Sequence, residues 1–70
     1  MGQLTAVFEK TDDWCIAYIE ELPGVNTQGK SLEDARENLQ EATQLVLEAN
    51  REIAQRASAG KEVIREPFVL

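Results

Sequence analysis

The sequence predicts an α+β fold with the element order β-β-β-α-β, in which an antiparallel sheet carries one long helix packed on one face. Three observations lead to this class. Two short segments near the N-terminus alternate in the period of a strand, a Pro-Gly turn follows them, and a long stretch then repeats apolar residues at helical spacing. The chain has 70 residues, which predicts a single domain over residues 1–70.

Residues 4–10 and 14–20 are the first two predicted strands. In the first strand, Ala6 and Phe8 lie on one face and Val7 lies on the other, and the second strand is rich in aromatic and β-branched residues. Asp12 and Asp13 favour a turn between them, because Asp side chains bond to nearby backbone groups. So short a connection predicts an antiparallel hairpin.

Pro23 and Gly24 predict the next turn. Proline presets φ at the second position of a type II turn, and glycine supplies the positive φ that the third position requires. A short third strand is predicted at residues 25–28, and Gly29 closes it.

Ser31 is the predicted start of the helix, because its hydroxyl can accept a free N–H group of the first turn. Glu33 and Asp34 add negative charge near the positive end of the helix dipole. Gly60 is the predicted stop. The apolar residues between them are alternately three and four apart and form one stripe: Leu32, Ala35, Leu39, Ala42, Val46, Ala49 and Ile53.

The predicted helix is longer than the domain. Over residues 31–59 it would measure about 43 Å, whereas a compact chain of this length is roughly 28 Å across. Either the helix breaks near Asn50, or its far half packs on another chain.

Residues 61–70 form the last predicted strand. Val63 and Arg65 alternate with Ile64 and Glu66. Since Pro67 cannot donate a backbone hydrogen bond, this strand should lie at an edge or carry a bulge.

The second strand has two apolar faces, one with smaller residues such as Cys15 and Ala17 and one with larger residues. A single helix covers only one face of a sheet. If it takes the face with the smaller residues, the larger ones are left exposed, and such a patch marks an interface. We therefore expect a homo-oligomer, either a dimer or a tetramer. The candidate partner or oligomer interface has four residues: Trp14, Ile16, Tyr18 and Phe68.

The chain is acidic, with 7 Lys and Arg against 13 Asp and Glu and a net charge of −6. This charge favours solubility or a basic protein partner, and it opposes direct contact with nucleic acid. No apolar stretch approaches the roughly 20 residues that cross a membrane, and the N-terminus lacks the charged and apolar regions of a signal peptide. With a single unpaired cysteine, the predicted location is the cytoplasm.

No catalytic residue, metal site or cofactor is predicted, and the protein is expected not to be an enzyme. The chain has no histidine to activate Cys15, so a core position is the better interpretation of that thiol. Asp12 and Asp13 are adjacent in a turn and should be solvated. A divergent nuclease that uses Glu9 or Asp12 with Mg²⁺ is one alternative, although two-metal chemistry needs several converging carboxylates.

A specific string runs from residue 17 to residue 42. It reads AYIEELPG, then TQG, then SLEDA, then ENL and EA, with the turn, short strand and capped helix in this order. This string resembles the HicB antitoxin family, and the wider resemblance covers residues 4–49. It implies a partial RNase H-like fold without the RNase H carboxylates, in a short, single-domain member.

The resemblance also implies a function. HicB proteins neutralise a small basic ribonuclease toxin, HicA, by covering its active site. Many of them add a C-terminal DNA-binding domain, for which this chain, ending at Leu70, has no room.

Two functions therefore lead the sequence-based hypotheses. The first is an antitoxin-like module that binds a basic HicA-type ribonuclease. The second is a solitary oligomeric scaffold or ligand-binding protein with no toxin partner, in which the larger apolar face is closed by self-association. Weakening of complex formation by salt would favour the first, and dissociation of an oligomer by Trp14→Ala would favour the second.

Overall fold

The computed structural model describes residues 3–69 and contains three strands followed by one helix. The strands are β1 (Ala6–Lys10), β2 (Cys15–Ile19) and β3 (Asn26–Gly29). The helix α1 spans Leu32–Ser58. The α+β class and the β-β-β-α order predicted from the sequence are confirmed.

The three strands form one antiparallel sheet in the order β1-β2-β3. Tyr18 at the centre pairs with Val7 of β1 and with Asn26 of β3. Because directly paired residues share a face, these three side chains lie on the same side of the sheet. The neighbouring Ala17 pairs with Phe8 and Thr27, and this set lies on the opposite side.

Helix α1 covers the face of β2 that carries Cys15, Ala17 and Ile19, all of which are buried. Val25 and the first turns of the helix complete this small core. The helix approaches the sheet closely because Gly29 has no side chain. A Cβ atom there would lie 2.5 Å from the Ala35 nitrogen.

Local signals set both ends of α1. Ser31 has extended backbone at φ −136° and is the N-cap, where its Oγ accepts the Asp34 N–H at 3.1 Å. Gly60, with φ +75°, follows the last turn. The helix runs through Asn50 without a break, so one of the two alternatives left open by the sequence does not occur.

The predicted final strand does not form in the single chain, since residues 61–69 contain no strand. Leu70, the end of that prediction, lies outside the described residues. After the helix, the chain folds back only as far as a hydrogen bond from Arg65 Nη2 to Ser58 Oγ, at 2.8 Å. The physical reason is the length of α1, which ends well beyond the sheet and carries this segment away from any strand of its own chain.

Candidate interaction surface

The face of the sheet opposite the helix is open. Trp14, Ile16 and Tyr18 retain 44%, 36% and 36% of their accessible surface there. We call these three residues with their paired neighbours the open sheet face. The neighbours are Val7, Glu9, Asn26 and Gln28.

The hairpin turn holds Trp14 at one end of this face. The Thr11 N–H donates to the Trp14 carbonyl oxygen at 2.8 Å, and the Trp14 N–H donates to Thr11 Oγ1 at 3.2 Å. Both hydrogen bonds fix the backbone of Trp14 next to the start of β2. Because side chains alternate along a strand, Trp14 lies on the same face as Ile16 and extends the apolar row of β2 by one residue.

The turn between β2 and β3 borders the other end. Val25 N–H donates to the Leu22 carbonyl oxygen at 3.3 Å, and Gly24 has φ +89°, as a type II turn requires at its third position. Pro23 lies in the same turn and lines a shallow depression of about 480 Å³ together with Ile16 and Tyr18. The apolar row on β2 therefore continues into a shallow concavity at this turn.

A carboxylate ties the chain just before β1 to the β2–β3 turn. Thr5 donates to Glu21 twice, from its N–H at 2.6 Å and from its hydroxyl at 2.7 Å. These donors hold the pKa of the Glu21 carboxyl below its ordinary value, the hydroxyl contributing most. The ionised carboxylate therefore accepts these hydrogen bonds more strongly than the protonated group would, and the contact borders the open sheet face on this side.

Of the four interface residues predicted from sequence, the structure groups only three. Phe68 lies after the helix, 86% exposed, and does not join Trp14, Ile16 and Tyr18. The reason is again the length of α1, which carries the C-terminal segment away from the sheet.

Two large apolar side chains on the helix are exposed but were not among the predicted interface residues. Leu45 and Ile53 are each 63% exposed. Ile53 belongs to the stripe that packs on the sheet nearer the start of the helix. The signal was present in the sequence, because the stripe extends farther than the strands that could cover it.

The candidates for chemistry stay apart. Cys15 is buried beneath the helix, and Asp12 and Asp13 are exposed in the hairpin turn. Within residues 3–69, no three His, Cys, Asp or Glu side chains converge on a common point where an ion could be held. Over the same residues, α1 lacks the apolar run that a helix needs to cross a bilayer.

The chain is similar to three proteins named UPF0150. It is 34% identical over 72 residues to one from Synechocystis, an alignment that covers 99% of this chain and 96% of the relative. It is 34% identical over 59 residues to one from Archaeoglobus fulgidus, covering 83% of this chain and 86% of the relative.

A protein from Thermotoga maritima is 39% identical over 54 residues, and the match spans 77% of this chain but only 60% of that longer relative. No family model matches the chain. No solved structure matches it either. The extent of the Synechocystis and Archaeoglobus alignments shows that the chain belongs to the UPF0150 protein family.

Proposed function

We propose that this protein is a HicB-like antitoxin module that binds a small basic HicA-type ribonuclease and covers its active site. The observation that carries the proposal is the open sheet face, where a row of large apolar side chains from β2 faces away from the core. The HicB-like string at residues 17–42 supports the same function.

The composition of the open sheet face suits a protein partner. Aromatic side chains such as Trp14 and Tyr18 contribute much of the binding energy of interfaces, because they bury a large area at a small cost in conformational entropy. Asn26 and Gln28 flank them and provide the polar rim that such an interface needs.

The charge of the chain suits a basic partner in particular. A net charge of −6 creates a long-range attraction that raises the rate of encounter with a cationic protein. The free, buried Cys15 fits a reducing compartment, and we place the interaction in the cytoplasm.

Co-expression tests the proposal. The chain should relieve the growth arrest caused by the small basic, histidine-containing protein encoded in the neighbouring reading frame. Ile16→Arg places a positive charge in the centre of the open sheet face and should weaken the purified complex by at least about tenfold. Gln44→Arg makes the same change of charge on the exposed side of α1 and should leave the affinity nearly unchanged.

The proposal fails if no such neighbour exists or if the neighbour stays fully toxic beside the chain. It also fails if Ile16→Arg and Gln44→Arg weaken the complex equally, because the effect would then be one of net charge alone. Raising the salt concentration should slow association of the unmodified pair, as expected for charge-steered encounter.

A second candidate function is an oligomeric scaffold without a toxin partner, whose copies associate through the open sheet face. The elongated shape of the chain, 52 × 25 × 15 Å, favours self-association of some kind. Trp14→Ala should then dissociate the oligomer, and no basic protein should be recovered with the chain.

A further inference from the structure

We propose that two copies of this chain exchange their C-terminal segments, residues 61–66 of each adding as a strand to the outer edge of β1 in the other. The exchange leaves the open sheet face free. It therefore goes beyond the proposed function, and it places self-association on a different surface from the second candidate function.

The C-terminal segment has the properties of a strand without a sheet. Val63 and Arg65 alternate with Ile64 and Glu66, and Ile64 is 90% exposed. An isolated alternating segment gains little by staying extended in water, since its backbone groups and apolar side chains have no partner. It becomes stable when it joins the edge of an existing sheet.

The segment cannot pair along its length with its own β1. Among the residues that pack against the core, Val46 is the farthest along α1, and the stretch from residue 48 to residue 58 has no sheet beneath it. We call residues 48–58 the helix overhang. It is about three turns, or about 16 Å. To reach its own sheet again, the chain after the helix must cross this distance, which takes about five extended residues at about 3.3 Å each. These residues are most of the segment from residue 61 to residue 66, so few of them would be left to pair with β1.

The two outer edges of the sheet differ in how open they are. The Gln28 carbonyl oxygen on the β3 edge already accepts a hydrogen bond from Asn38 Nδ2 of the helix, at 2.9 Å. Helix α1 also lies over β3 and β2 rather than β1. The β3 edge is therefore protected by the helix.

The β1 edge has open hydrogen-bonding positions. Glu20 N–H donates to the Thr5 carbonyl oxygen at 2.9 Å, so Thr5 and alternate residues after it turn their backbone groups towards β2. The same alternation directs the N–H and C=O groups of Ala6, Phe8 and Lys10 outwards. In residues 3–69, no turn, loop or cap forms a backbone hydrogen bond with these outward N–H and C=O groups. Such a row is a template for another strand.

The apolar side of β1 is also incompletely covered. Phe8 is only half-buried, and the group above its ring is the Arg36 guanidinium, 5.6 Å from the ring centroid. A strand added at the β1 edge would cover more of Phe8, and Ile64 is an apolar side chain available for that contact.

The accessible surface indicates a partner of the size of a second copy. The chain exposes 6082 Å², whereas a compact monomer of 7.8 kDa exposes about 4,400 Å². The excess is about 1,700 Å² per chain, and a pair that buried it would fall in the range of about 2,000–5,000 Å² that obligate homodimers bury.

The helix overhang belongs to the same interface. Its apolar stripe continues from the core through Ala49 to Ile53, which has no contact within its own chain's core. In a two-fold arrangement both copies present the same surface to each other. The overhang of one copy then brings its C-terminal segment to the sheet of the other.

Mixed-label NMR tests the exchange on the unmodified protein. One half of the sample carries ¹⁵N and the other ¹³C, and contacts between the two labels arise only between copies. We expect interchain contacts between residues 62–66 and residues 6–10, together with slow hydrogen exchange of the Phe8 amide. Light scattering at about 100 μM chain should give twice the 7.8 kDa chain mass.

Two variants locate the interface. Ile64→Pro removes a strand donor and should raise the dimer dissociation constant by at least about tenfold, with loss of Phe8 amide protection. Trp14→Ala, on the open sheet face, should leave the mass unchanged. A monomeric mass, contacts between these segments only within one chain, or a dimer that Trp14→Ala dissociates and Ile64→Pro does not would each overturn the proposal.

Discussion

Gly29 is the residue on which the contact between the sheet and the first turn of α1 depends. A Cβ atom there would meet backbone as well as side chain, because the Asp34 carbonyl carbon and Cβ both lie 2.9 Å from its position. Backbone cannot rotate away as a flexible side chain can. The helix would have to move off the sheet, and the core residues Ala35 and Leu39 would lose contacts.

We therefore expect Gly29→Ala to lower the free energy of unfolding by about 1–3 kcal/mol, through forced separation of packed elements. Urea unfolding at one fixed protein concentration measures this change. Gly24→Asn is the control for a side chain added without close contacts, since nothing lies within 4 Å of a Cβ at Gly24. A side chain at φ +89° adds backbone strain of its own, and Asn keeps that cost small because it tolerates the left-handed region. If the control loses as much stability as Gly29→Ala, close packing is not the cause.

The sequence identified Gly29 as a residue of special role but gave a different reason for it. Its position in the sequence suggested that it closes the third strand. A need for positive φ does not explain the glycine either, because φ at Gly29 is not in the left-handed region. Its importance comes from Ala35, six positions later, which approaches it only after the helix has docked. No local pattern contains that distance.

Helix α1 is the element whose start is set most locally. The Ser31 hydroxyl and the Asp34 N–H are three residues apart, so this N-cap hydrogen bond includes no residue of the sheet. Loss of an N-cap hydroxyl leaves a backbone N–H of the first turn without its partner.

Ser31→Ala should reduce the free energy of unfolding by about 1 kcal/mol, and Ser31→Asp should keep most of it because the carboxylate also accepts this N–H. Thermal or urea unfolding of the three proteins at equal concentration measures the difference. Equal stability of Ser31→Ala and the unmodified chain would show that the first turn depends on docking to the sheet alone.

At the scale of the whole molecule, the dominant property is an elongated shape. The radius of gyration is 15.4 Å, against about 11 Å for a compact chain of this length. Among residues 3–69, six apolar residues are buried in the core. A core of this size gives a small domain little stability, so burial against a second copy should contribute to folding itself.

The melting temperature should therefore rise with chain concentration, by roughly 3–6 °C for each tenfold increase, because association and folding are linked. Scanning calorimetry over a range of concentrations measures this. Ile64→Pro should remove most of the dependence while Trp14→Ala keeps it. A melting temperature that is independent of concentration in the unmodified chain would contradict folding linked to association.

The sequence by itself determined the features that depend on near neighbours in the chain. The alternation of β2, the Pro23–Gly24 turn, the Ser31 cap and the stop at Gly60 each involve residues within a few positions of one another, and the order β-β-β-α follows from them. The two faces of β2 were also readable from the period of a strand, which fixed Trp14, Ile16 and Tyr18 as one set.

Only the tertiary structure decided which face the helix covers and what becomes of the last segment. The helix packs on Cys15 and Ala17 because small residues and Gly29 allow close approach, and this choice leaves the open sheet face exposed. The alternation of residues 61–66 predicts a strand, but a strand needs an edge within reach. The length of α1 carries the segment about 16 Å past its own sheet, so pairing depends on distances that no local pattern records.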